Sequence, residues 1–463
     1  MFASTRCRTS SIEKGDGTHD GQAPTVERKK NDDETISVNN RLVLLFCALF
    51  QTVSLSAFSQ HDTIRLGRSS GLQLSGSARI DYFYDTRQTF EAVEGLATIY
   101  PLNKQLDANG VDLNAAPKAN VLSIATYLST QFYAPDVFGA KSTAYIEFDF
   151  TGTSNTNGVR LRQAYANLSW TKTNLLVGRS WHPLSISCFP TTVAFNCGAP
   201  FRAFNRSDQV RFDFRPEHWL LSLFALYQSD YASLGPVPGT ASSSVKSSTY
   251  LRDAVWPELA VLLAYKTPHF QAGVVGALKS IKPRLYTMSD YTNPNGARYK
   301  TDETLTTCAV QAYAQYQMAG WTLKAQATYT QNTTESLMIG GYAVSVVDPA
   351  TGHEQYTPTQ YMNYWINADY GKRWQAGLFA GYLNSLGTVD NVTGAWYARA
   401  HDMKYMVRIS PHLFYNVNNW QYAIEFDYSV AGFGEVRNSQ KASITNVATV
   451  ANFRTNLQMR FYF

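Results

Sequence analysis

The stretch Val450-Ala451-Asn452-Phe453-Arg454-Thr455-Asn456-Leu457-Gln458-Met459-Arg460-Phe461-Tyr462-Phe463 alternates to its last residue. Ala451, Phe453, Thr455, Leu457, Met459, Phe461 and Phe463 fall on one side. Asn452, Arg454, Asn456, Gln458, Arg460 and Tyr462 fall on the other. Side chains alternate across a strand, so this is a β-strand with one apolar and one polar face.

The same period recurs upstream. In 72–85 the residues Leu72, Leu74, Gly76, Ala78, Ile80, Tyr82 and Tyr84 oppose Gln73, Ser75, Ser77, Arg79, Asp81, Phe83 and Asp85. Segments 143–150, 209–215, 321–330 and 420–428 read alike. Very short polar turns follow many of these segments, among them 171–174, 215–218, 266–269, 318–320, 371–373 and 417–419, and most lead at once into Trp or Phe. Between hairpins lie longer stretches rich in Gly, Ser, Thr, Asn and Pro. Short turns alternating with long loops, with aromatics at strand ends, is the layout of a transmembrane barrel. Counting strands between connections predicts an all-β fold, a transmembrane antiparallel β-barrel of sixteen strands over 72–463. An even count puts both barrel ends on the periplasmic side. That number of strands leaves an aqueous channel. Strands 159–170, 175–181 and 256–266 alternate poorly, which predicts bulges or contact with protein there.

Composition agrees. The chain is 44% hydrophobic and 14% aromatic but only 16% charged, below the roughly one quarter usual for a soluble domain. Leu42–Phe50 is too short an apolar run for a membrane helix, which needs about 20 residues. It fits the hydrophobic core of a secretory signal, with Ala57 and Ser59 placed for cleavage before Gln60. Residues 1–59 are read as an N-terminal extension plus signal peptide, removed on export, and 60–71 as a short periplasmic segment. The terminal aromatic Phe463 has the form recognised by the machinery that assembles outer-membrane barrels.

Charged side chains cannot face hydrocarbon cheaply. On a barrel, Arg or Lys at mid-bilayer costs roughly 2–4 kcal/mol. In-strand charges such as Arg79, Asp81, Glu147, Asp149, Lys324, Arg408, Glu425, Asp427, Arg454 and Arg460 are therefore assigned to a wet lumen, with no apolar interior evident. Arg160, Arg162, Arg179 and Arg211 cluster around the third loop, 182–207, which adds Arg202 and Arg206 and folds inward. Two readings stand side by side. Either these arginines line a constriction that favours small anions through its positive potential, or they pair with Glu147, Asp149, Asp208 and Asp213 as structural ladders. Cys188 and Cys197 lie in the same loop and form a possible disulfide in an oxidising envelope. No cofactor and no metal site is read. Nucleic-acid binding has no support, since positive charge is spread among strands. The histidines carry no nearby Gly-x-Ser motif, which argues against catalysis. A structural, adhesive or receptor barrel without general pore activity is the alternative to a porin.

The segments Phe138-Gly139-Ala140-Lys141, Ile146-Glu147-Phe148-Asp149-Phe150 and Val159-Arg160-Leu161-Arg162-Gln163-Ala164-Tyr165 resemble the DcaP-like outer-membrane porins. So do Leu175-Leu176-Val177-Gly178-Arg179-Ser180-Trp181-His182-Pro183 and Pro200-Phe201 followed by Asn205-Arg206-Ser207-Asp208-Gln209-Val210-Arg211. The likeness covers about 75–215. It implies a sixteen-stranded homotrimer in outer-membrane lipid and lipopolysaccharide, passing small anionic solutes, with Arg160, Arg162, Arg206 and Arg211 at the pore. Arg179 and the two loop cysteines depart from the pattern.

Overall fold

The computed structural model describes residues 64–65, 70–152, 158–229, 231–293 and 295–463. The leader and signal reading of 1–59 lies outside the described residues. Sixteen antiparallel strands form one closed barrel. They are β1 (Gly71–Asp85), β2 in two segments (Lys118–Leu122 and Tyr127–Val137), β3 (Ala140–Gly152) and β4 (Gly158–Ser169). Next come β5 (Thr173–Trp181), β6 (Arg206–Phe214), β7 (Trp219–Tyr227) and β8 (Glu258–Lys266). After these run β9 (Phe270–Ile281), β10 (Leu305–Met318), β11 (Trp321–Gln331) and β12 (Glu354–Gly371). The last four are β13 (Trp374–Thr388), β14 (Met403–Val417), β15 (Trp420–Arg437) and β16 (Ser443–Tyr462). Each strand pairs with the next, and β16 returns to β1 in a register running from Ser77–Tyr462 to Asp85–Arg454. Closure leaves no unpaired edge, the condition for a sheet to stand in lipid.

The expected alternation is realised as an inside and an outside. On β12, Tyr364 and Ile366 are exposed outward while Trp365, between them, is 2% exposed. On β16, Phe453 and Leu457 point out and Asn452, Arg454 and Asn456 are buried inside. The longest members, β12, β15 and β16, rise well above the others, so the eighth loop is only 438–442. Outside the barrel wall, Gly340–Val347 pairs with the first part of β12 and with Trp396–Arg399.

The three poorly alternating strands have three different causes. In β4 a register shift between Glu147 and Phe148 of β3 marks a bulge, and it lets Arg162 and Gln163 both reach Glu147. In β5 the irregularity is a charge on the outer face, described below. In β8 both faces are apolar: Leu259, Val261 and Leu263 face out, while Ala260, Leu262 and Ala264 are buried inside. Phe224, Leu226, Val275 and Ala277 of β7 and β9 continue that inner apolar wall. This corrects the expectation of an interior without apolar surface. The wall is apolar because loop residues Leu184, Cys188, Phe201 and Phe204 pack against it, forming one core inside the barrel.

Candidate constriction and its charges

The third loop is not alone in folding into the barrel; the first does so too, and Leu337, Met338 and Ile339 of the sixth pack in the same core. The third (L3, 182–205) leaves β5 at His182, whose Nδ1 accepts from the Leu184 N–H at 3.2 Å and caps the short helix α1 (Pro183–Ile186). Its Nε2 lies 3.0 Å from Glu258 at the head of β8. Proline at the first helical position needs no hydrogen-bond acceptor there, so the loop turns inward on a defined pivot. Its tip is then caught on the far wall. The Thr191 N–H donates to Asn367 Oδ1 (2.7 Å), and the Val193 and Ala194 N–H groups donate to the Glu425 carboxylate (2.7 and 3.1 Å). Arg79 donates to the Val193 carbonyl at 2.9 Å, and Lys324 to Thr191 Oγ1 at 3.2 Å.

The first loop (L1, 86–117) carries a hairpin, Thr89–Ala92 with Ala97–Pro101, and sends it inside too. Ile99 is fully buried, and Asn196 of L3 donates to the Thr98 carbonyl at 2.6 Å. Two arginines on the wall hold both loops. Arg408 pairs with Asp427 (3.1 Å) and donates to the carbonyls of Ala199 in L3 (2.7 Å) and Ile99 in L1 (3.0 Å). Arg454 pairs with Asp85 (2.9 Å), stacks on Phe83 and donates to the Gly95 carbonyl (2.9 Å). Sequence reading put both arginines in the lumen but not at a loop anchor. The available signal was Leu96-Ala97-Thr98-Ile99-Tyr100, too apolar a run for a solvated exterior loop.

The candidate arginines separate into distinct places. Arg160 and Arg162 of β4 face Asp149, and Arg162 also meets Glu147. Arg211 pairs with Asp213 at 2.6 Å over the ring of Phe224. Arg79 makes a two-pronged contact with Asp81 at 2.7 and 2.8 Å. Arg460 donates to Ser77 Oγ and lies over Tyr462 and Tyr127. The ladder arrangement with Glu147, Asp149 and Asp213 is therefore present at Arg160, Arg162 and Arg211. Arg202, Arg206 and Arg454 are fully buried, and Arg179 faces outward, so these four candidates do not line open lumen. Arg202 is fully buried within L3, stacked on Phe189 at 4.1 Å and bonded to the carbonyls of Cys197 and Ser185. Arg179 stands on the outer face beside Val177, paired with Asp208 of β6, whose side chain is 47% exposed. Strand parity places it there: Ser180, its neighbour in sequence, and Gln209, next to its cross-strand partner Asp208, are the buried ones.

Arg206 differs from all of these. It is 1% exposed, packs on Trp181 (3.9 Å) and Phe204 (5.4 Å), and none of its three guanidinium nitrogens has a hydrogen-bond partner among the described residues. Arg162, Tyr231, Glu147 and Arg160 are its electrostatic neighbours, two cations against one carboxylate and one phenol. The cysteine bridge is not formed. Cys188 is a buried free thiol in the apolar core, whereas Cys197 takes a left-handed backbone (φ 48°) and directs its sulfur to the Phe195 carbonyl.

Comparison with models of protein families and with the sequences of curated proteins finds no match. Solved structures do match in shape. The outer membrane channel DcaP of Acinetobacter baumannii superposes with a TM-score of 0.62 at 16% identity, over 87% of this chain and all of that one. In-vitro folded OmpT, an outer membrane protein of Vibrio cholerae, gives 0.51 at 8% identity over 86% and 99% of the two chains. Its trimer form gives 0.50 at 8% identity over 85% and 100%. Closed strand order, short turns at one end and these superpositions give this chain the barrel fold of the outer membrane proteins it matches, the DcaP channel among them.

Proposed function

We propose that the chain is a porin of the bacterial outer membrane, a homotrimer that lets small hydrophilic anions diffuse passively through a lumen narrowed by L1 and L3. The observation that carries this reading is Arg206. Around the constriction, the carboxylates of Glu147, Asp149 and Asp213 face the guanidiniums of Arg160, Arg162 and Arg211. Arg206 is the buried cation whose guanidinium has no hydrogen-bond partner among the described residues, with Arg162 and Arg160 adding to the positive potential around it and Glu147 only partly offsetting it. A charge so weakly compensated in a low-dielectric place costs several kcal/mol, and an anion passing the constriction feels its attractive field without touching it. Fixed positive potential between low-dielectric walls also raises the local concentration of anions. The test is a reversal potential across a planar bilayer holding the purified protein in a salt gradient. Anion selectivity is expected, and Arg206→Gln should move the reversal potential toward zero. Cation selectivity of the natural chain would eliminate the anion reading, and absence of any conductance would eliminate the porin.

A further inference from the structure

Beside the constriction lies a cavity of about 220 Å³ walled by L1, L3, the fourth and sixth loops, and the upper ends of β3 and β4. Its floor and sides are apolar at Ile124, Phe195, Phe204 and Leu337. Four charged side chains line it: Glu94, Arg160, Lys246 and Glu335. Arg160 is engaged with Asp149 at 3.1 Å, and Glu335 with Lys279 at 2.8 Å. Glu94 and Lys246 make no ion pair or hydrogen bond among the described residues, with each other or with anything else.

Both free charges stand on backbone that the fold fixes. Glu94 occupies the turn of the L1 hairpin in a left-handed conformation (φ 53°), next to Gly95, whose carbonyl Arg454 holds. Lys246 ends a strand of the fourth loop, in register with Leu234, and the Leu234 N–H donates to Thr334 Oγ1 of the sixth loop. Two opposite charges are thus presented to one apolar chamber from separate, anchored loops. A simple anion would meet Lys246 and Arg160 but also the free Glu94 carboxylate. A solute carrying both charges satisfies all three.

We propose that this chamber is a capture site for a small zwitterion with an apolar side chain, the chemistry of a neutral amino acid. Its carboxylate engages Lys246 and Arg160, its ammonium engages Glu94, and its side chain lies against Phe195 and Phe204. Because Arg160 also belongs to the arginine cluster of the constriction, the captured solute points its carboxylate toward the narrow passage. That last consequence rests on the channel reading, whereas capture itself does not.

Three probes of one carbon skeleton test it: leucine, 4-methylpentanoate, which lacks the ammonium, and 3-methylbutylamine, which lacks the carboxylate. With the purified barrel in planar bilayers, leucine should give transient current blockages at least fivefold longer than either analogue. Glu94→Gln should shorten leucine blockages to the length seen with 4-methylpentanoate and not shorten those of 4-methylpentanoate. Lys246→Gln should shorten both. Isothermal titration of the detergent-solubilised protein with the same probes reads capture even where no current flows, so a failed channel is distinguished from a failed site. Circular dichroism in the β-sheet region checks that each variant is folded. Equal or longer blockage and tighter binding by 4-methylpentanoate than by leucine, no binding of leucine, or leucine binding indifferent to Glu94→Gln would each overturn the proposal.

Discussion

At the scale of the residue, the barrel interior is organised by arginine because guanidinium offers five donors in a fixed fork and keeps its charge when buried. Arg408 uses that fork fully, on Asp427, Ser429, Ala199 and Ile99. Removing one partner of a buried ion pair leaves the other uncompensated, at a cost of about 3–5 kcal/mol. Arg408→Met should therefore lower stability by about that amount in reversible urea unfolding and, because it frees a point where L1 and L3 are tied, raise single-channel conductance. A variant unchanged in both would show that neither loop depends on this side chain. Sequence reading reached Arg454 and Arg408 as inward charges because their neighbours alternate cleanly. It misplaced Arg179 because Leu175 and Leu176 are both apolar, so parity in β5 has no marker. It misplaced Arg202 because a charge in a loop carries no parity at all.

At the scale of the element, strands were legible and loops were not. A strand exposed to lipid on one side and to a polar interior on the other writes its direction into every second residue. β8 breaks the rule since its inner face meets L3 rather than water, and no local pattern in β8 announces a partner far along the chain. The inward course of L1 was missed for a like reason: its buried hairpin is held by Arg408 and Arg454, more than 300 positions away, and by Asn196 of L3. L3 was predicted to turn in, and what holds its tip is now specific. Glu425 accepts the N–H groups of Val193 and Ala194 and an amide hydrogen from Asn456. Hydrogen bonds to a charged acceptor contribute about 1.5–3 kcal/mol each. Glu425→Ala should therefore loosen the Thr191–Ala194 tip, seen as rapid flicker and a higher mean current in single-channel records. A trace as quiet as that of the natural chain would mean Asn367, Lys324 and Arg79 suffice to hold the loop.

At the scale of the whole molecule, the outer surface is not uniform around the barrel. Trp219, Trp321, Trp374 and Trp420 stand exposed at the lower strand ends, and Tyr84, Tyr227, Tyr382 and Tyr428 are exposed higher up. Amphipathic rings at those levels suit a lipid–water boundary. The outward positions of β2 to β6 carry instead Leu128, Ile146, Leu161, Val177, Val210 and Phe212, the exposed Tyr133 lying near the lower end of β2. Trp181, at the end of β5, turns in to pack on Phe189 and Phe204. On the same sector sits the outward Arg179–Asp208 pair, and Ala144, Ala166 and Val177 lie in one row across three strands. Charge facing acyl chains is expensive, and small side chains let another backbone approach closely. Both features fit a wall covered by a second copy of the chain rather than by lipid, which is the contact the proposed trimer requires. Ala166→Trp should then convert the trimer to monomers on native mass spectrometry from detergent, while Ala325→Trp, on the aromatic-belted side, should leave it intact. The opposite pattern would move the contact to β10–β12. If both variants remained trimeric, the gap in the belt would owe nothing to subunit contact. Shape, charge and belt thus point to one orientation, in which the arginine-bearing strands β4 to β6 form the shared wall of the trimer and the apolar inner wall of β7 to β9 braces L3 within each pore.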